Sequence, residues 1–135
     1  MRLSRLLLCL AGLPLALPAQ VAGKFPPDSL VNVQVIPRTT PVIQVIGTMR
    51  NFAGNLGVRC QFCHVGEEGL PLEQFDFASD EKRQKKNTRV MMQMTIDLNA
   101  KLANIPEPRP AGSNAVTCYT CHRGQLKPLT APPPQ

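Results

Sequence analysis

The chain has 135 residues, enough for one small domain and little more. It contains no Trp, one Tyr and five Phe against 14 Pro, so a core built from many large side chains is excluded and room is left for something else at the centre. The formal charge of +6 raises nucleic-acid binding as a function class. The basic residues are not interleaved with aromatics, however, and their main run, EKRQKK at 81–86, is local, so that class is set aside in favour of a solvated helix start or a docking patch for an acidic partner.

The N-terminus reads as an export signal. Arg2 and Arg5 give it a positive start, and Leu6 to Ala19 is apolar but broken by Gly12, Pro14 and Pro18. At about 14 residues the stretch is too short for a membrane span. A signal peptide over 1–19 is expected, with a cut after Ala19 or Ala22. Cys9 lies inside it and follows Leu8, not the small residue a lipoprotein signal needs, so it reads as an ordinary signal residue. Without Arg2 and Arg5, 13 basic residues face 9 acidic ones, a charge of +4. The mature protein is expected to be exported, periplasmic or associated with a membrane surface, and export is a second argument against a nucleic-acid partner.

Next comes LVNVQVIP, residues 30–37, where Val31, Val33 and Val35 alternate with polar neighbours at a strand period. The stretch 39–57 predicts a helix. Thr40 can cap it, Pro41 suits its first position, and Val42, Val45, Ile46, Met49, Phe52, Ala53 and Leu56 recur on one face before Gly57 stops it. A loop spans 65–79. A second long helix is expected from Glu81 to Ala103, capped by Asp80 or Ser79, with Met91, Met94, Leu98, Leu102 and Ile105 along one face. PEPRPAGSN, residues 106–114, is a Pro-rich break, and 129–135 is a Pro-rich flexible tail. The folded domain is expected over 30–128.

Each long helix leads to the same motif. VRCQFCHV holds Cys60, Cys63 and His64, and VTCYTCHR holds Cys118, Cys121 and His122. The two histidines are the only ones in the chain, and four of its five cysteines lie here. A short helical turn brings positions i, i+3 and i+4 to one face. CxxCH is the attachment pattern of c-type haem, with two thioether bonds from the cysteines and an iron–nitrogen bond from the histidine. A CxxC disulfide explains neither the histidine nor the duplication. A zinc ribbon also pairs CxxC motifs, but usually about 15–20 residues apart, whereas these are much further apart. Two covalently attached haem c groups are therefore expected, and they would supply the flat apolar bulk the composition lacks.

Both histidines are then used, so no bis-histidine haem can form within one chain. Methionine is the standard remaining axial ligand. Met49, on the helix just upstream, is the candidate for the first haem. For the second, Met91 and Met94 lie one turn apart on one face while Met92 points elsewhere, and spacing alone does not choose between them. Arg50, Arg59, Arg89 and Arg123 are candidate partners for haem propionates, the two that border the motifs first among them.

TMRNFAGNLGVRCQFCH, FASDEKRQKKNTRVMMQM and VTCYTCHRG with the later Pro128 resemble the cytochrome c subunit family of photosynthetic reaction centres, over about Val33 to Pro128. The resemblance implies an all-α fold, a small multihaem c-type cytochrome of two helix–turn–CxxCH units with little regular sheet. It implies Met49 as sixth ligand of the first haem and favours Met91 over Met94 for the second. Reaction-centre members carry four haems, and one of those uses a distal histidine; this chain has two motifs and no spare histidine, so it looks like a half-size relative. The function expected is single-electron transfer between redox partner proteins, one of which could be a membrane electron-transfer complex, with no catalytic residues. The alternative is a dihaem redox enzyme, peroxidase-like, or a haem-based sensor with an open iron site. An enzyme would need a distal acid–base group, for which only loop carboxylates such as Glu67 or Glu73 are at hand.

Overall fold

In the computed structural model the described residues are 23–105, 110 and 113–132. The expected signal peptide, both candidate cut sites, Cys9, most of the 106–114 break and the end of the tail lie outside them. The described chain is helical. In order it forms α1 (Val42–Leu56), α2 (Cys60–Cys63), a 3-10 turn (Leu72–Gln74), α3 (Arg83–Leu102) and α4 (Cys118–His122). No strand forms among the described residues; an isolated antiparallel bridge joins Val65 to Asp76.

Helix α1 starts one residue later than the Thr40 cap implies. Pro41 is the N-cap, and its carbonyl accepts from the Gln44 and Val45 amides at 2.9 and 3.2 Å. Its end is as expected: Gly57 is left-handed at φ 65°, and the Val58 amide reaches back to the Ala53 carbonyl at 3.0 Å. This C-terminal closure turns the chain directly into α2.

The 30–37 stretch is not a strand. Asn32 takes a left-handed φ of 60°, its side chain donates to the Ala78 carbonyl at 2.7 Å, and its own carbonyl accepts from Arg89 at 3.0 Å. One tie to the loop and one to α3 override the alternating pattern.

Helix α3 starts at Arg83, with Lys82 as N-cap and no side-chain cap. Asp80 does not cap because it is held by Arg89 at 2.8 Å and Lys85 at 3.1 Å. Ser79 instead accepts from the Glu81 amide at 3.1 Å, before the helix begins. The expected apolar face of α3 is largely on the surface, with Met91, Met94 and Leu98 at 47, 45 and 38 % exposure. Its half-buried face carries Thr88, Met92, Thr95 and Asn99.

The main helix packings cross between the two units: α1 lies against α4, and α2 against α3. At the first junction the Gly124 amide donates to the Asn55 carbonyl at 3.0 Å. Gly57 and Gly124 approach so closely that a Cβ on Gly57 would stand 2.1 Å from the Gly124 carbonyl oxygen. At the second junction Lys82 donates to the Gln61 carbonyl, and Cys63 Sγ lies 3.9 Å from Thr88 Oγ1. Among the described residues Val45 is the one buried hydrophobic side chain, which bears out the thin core read from the composition.

Candidate haem-attachment sites

Each CxxCH motif folds as a single helical turn on an extended lead-in. Arg59 and Thr117, the residues before the first cysteines, are both in β-type backbone. In the first motif the His64 amide donates to the Cys60 carbonyl at 3.0 Å, and the chain leaves the helix at His64. In the second, His122 is still helical and Arg123, left-handed at φ 52°, closes the turn. The lead into the second turn is fixed by Asn99 on α3, which donates to the Val116 carbonyl at 2.7 Å and accepts from the Val116 amide at 3.0 Å. This side chain does for Val116 what the Ala53 carbonyl does for Val58.

All four described cysteines are free, with Cys60 and Cys121 exposed and Cys63 and Cys118 half-buried. Burial pushes the Cys63 and Cys118 thiols up, so both are neutral thiols at neutral pH. An activated redox cysteine is shifted the other way. No cluster of three or more His, Cys, Asp or Glu side chains able to hold a metal ion occurs among the described residues, as a shared zinc site would require.

The histidines differ in their surroundings. His122 Nδ1 lies 3.0 Å from the Gln125 carbonyl. A ring nitrogen donating to a backbone carbonyl fixes the tautomer and leaves Nε2 free for a metal. His64 is packed edge-on against Phe77, centroids 4.9 Å apart, and Phe77 in turn stacks with Phe75 and contacts Phe25. Burial, then the positive charge of Lys85, lower the His64 pKa to about 4, so the ring is neutral at pH 7. The neutral imidazole is the metal-binding form.

The methionines fall into two groups. Met49 is half-buried on the face of α1 that also carries Val45 and Ala53. On α3, Met91 and Met94 are exposed and Met92 is half-buried. Met94 lines an open groove of about 510 Å³ with Val90, Gln93, Asp97, Leu98 and Lys101. Neutral thiols, a neutral His64, a carbonyl-anchored His122 and apolar surface along α3 all fit covalent haem. Of the four arginines, Arg89 is committed to Asp80 and Asn32, and Arg59 pairs on the surface with Glu68 at 3.2 Å. Arg50, Arg123, Glu67 and Glu73 are exposed.

Sequence reasoning missed the supporting roles of Asn32, Phe77 and Asn99, and read Asp80 as a cap and Lys85 as part of a basic run, not as the ion pair they form. Only Asn99 carried a signal, as a poor helix former inside a helix. The basic run at 81–86 was read as a solvated face, yet Lys85 is 9 % exposed and Lys82 is tied to α2.

A small helical chain with two such turns defines a c-type cytochrome. The family description "Photosynthetic reaction centre cytochrome C subunit" matches residues 60–131, and the chain belongs to that family. It is also 37 % identical over 94 residues to a protein named Cytochrome c-554 from Chloroflexus aurantiacus (strain ATCC 29366 / DSM 635 / J-10-fl). That match covers 68 % of this chain and 20 % of the relative, so the chain spans about a fifth of the relative's length. No solved structure matches. No helix among the described residues is long and apolar enough to cross a membrane.

Proposed function

We propose that this chain is an exported dihaem c-type cytochrome that passes single electrons between redox partner proteins. The observation that carries the reading is the duplicated turn: two CxxCH motifs, each folded as a short helical turn that delivers a histidine directly after its second cysteine. Bound haem supplies one-electron Fe(II)/Fe(III) chemistry. Cys60 and Cys63 hold the first haem and Cys118 and Cys121 the second, with His64 and His122 as the proximal ligands.

Met49 is the sixth ligand of the first haem, supported by its half-buried position on α1. Met91 serves the second, as the family resemblance favours, and Met94, which lines the α3 groove, is the alternative. The family description supports a membrane electron-transfer complex as one partner. Exposed positive charge on α3, at Arg83, Lys86 and Lys101, offers a docking surface.

The test is an absorption spectrum of the exported, dithionite-reduced protein with and without carbon monoxide, together with haem per chain. Two haems indifferent to carbon monoxide support closed, six-coordinate sites and the carrier reading. A spectrum that shifts with carbon monoxide moves catalysis or sensing to the front. In Met49→Ala, half of the haem should become carbon monoxide-reactive; an unchanged ligand-field spectrum removes Met49 as a ligand. Met91→Ala and Met94→Ala, made separately, decide the second haem.

A further inference from the structure

Lys85 is the one buried charged side chain among the described residues, and its environment is unusual. Its ammonium donates to three successive backbone carbonyls, Phe77 at 3.0 Å, Ala78 at 2.9 Å and Ser79 at 2.7 Å, and pairs with Asp80 at 3.1 Å. A cation so enclosed is held by full satisfaction of its donors. The loop it holds carries Phe77, whose ring packs on His64.

His64 Nδ1 is buried and has no hydrogen-bond partner. The Phe77 carbonyl is held by Lys85 at 3.0 Å and does not meet His64 Nδ1 in hydrogen-bond geometry. His122 Nδ1 has its carbonyl, from Gln125. A carbonyl on the far ring nitrogen makes a histidine ligand more basic, which favours the oxidised metal. A nearby positive charge favours the reduced metal. Both differences act in the same direction at His64.

We infer that Lys85 is a positioning residue for the first haem: by drawing the Phe77 carbonyl to its own ammonium it leaves His64 Nδ1 without an acceptor of the kind that Gln125 gives to His122, and it makes the first haem the higher-potential one. In a half-reduced molecule the electron then rests at the first site, the iron there being Fe(II) and the iron at the second Fe(III). The inference rests on the dihaem reading above.

The experiment is an optical redox titration of the exported holoprotein, with haem per chain measured on the same sample. Wild type should give two one-electron waves. Lys85→Gln removes the charge and, with a shorter side chain, loosens the hold on the Phe77 carbonyl. It should lower the upper wave by about tenfold in the electron-partition constant, about 59 mV, and leave the lower wave in place. Lys85→Arg should restore the upper wave. A Lys85→Gln protein that carries two haems and leaves the upper wave unmoved, or moves the lower one instead, overturns the inference while the dihaem reading stands. One haem per chain overturns the dihaem reading itself. If Lys85→Gln does not fold, proton NMR of reduced wild type still decides. The His122 ring N–H should resonate at lower field than that of His64, and equal positions overturn the inference.

Discussion

Gly57→Ala tests the junction that joins the two units. Gly57 is left-handed at φ 65°, and an added Cβ would stand 2.1 Å from the Gly124 carbonyl oxygen, against a normal contact of about 3.4 Å or more. An alanine in left-handed backbone costs about 1–2 kcal/mol. Relieving the overlap means moving backbone, since both contacting groups are main chain. Gly124 must then retreat and stretch its amide bond to the Asn55 carbonyl, now 3.0 Å, a loss of about 1 kcal/mol. The expected loss is therefore about 2–3 kcal/mol, a large part of a small domain's stability. Gly54→Ala is the control. Gly54 lies inside α1 with nothing within 4 Å of its would-be Cβ, so alanine there should stabilise by about 0.5–1 kcal/mol. Guanidinium unfolding of the holoprotein, followed by far-UV circular dichroism, should move the two midpoints in opposite directions. A Gly57→Ala protein within about 0.5 kcal/mol of wild type, the range of an ordinary surface change, would refute the close approach of the α1 and α4 ends.

Asn99→Leu should destabilise the holoprotein by about 2 kcal/mol, because it removes two hydrogen bonds to Val116 and leaves that residue's part-buried backbone unpaired; an unchanged unfolding midpoint would deny the tie. Asp80 predicts a pH dependence. Its hydrogen bond from Arg89, and then that from Asn32, hold its carboxyl well below its ordinary 3.8, so its folded pKa is depressed. The stability it contributes is fully present above about pH 4 and is lost as pH falls through the folded value. The stability gap between wild type and Asp80→Asn should stay constant from pH 7 to about pH 5 and close only in stronger acid. A gap that already closes between pH 7 and 5 would contradict the ion pairs.

Both long helices were legible because their signals are local. Recurring apolar residues mark α1, and Gly57 ends it in the backbone conformation glycine tolerates best. The CxxCH turns were legible as motifs for the same reason. The helix starts were harder. Thr40 and Asp80 both look like caps, but one precedes a proline that takes the N-cap position, and the other is drawn away by two cations in the first two turns of α3. The alternating valines at 31–35 failed as a strand signal because a strand needs a partner, and the chain here is tied through Asn32 instead. Lys85 could not be told from its neighbours in EKRQKK. What sets it apart is three carbonyls that the loop brings together only in the folded chain.

The crossed packing makes the two sites depend on each other. A helical turn of four or five residues, the length of α2 and of α4, is far below what is stable by itself. Each turn is held in large part by the long helix of the other unit, α2 by α3 and α4 by α1. Loss of the first haem should therefore loosen the second site, although no residue of the second motif has changed. The Cys60→Ala, Cys63→Ala double variant is expected to carry one haem. Its remaining haem band should report unfolding at lower denaturant than the same band in wild type, because α3 and α1 lose a packing partner and a source of order together. If the units were independent beads, the second band would keep its wild-type midpoint, and the crossing of α1 with α4 and α2 with α3 would carry no energetic weight.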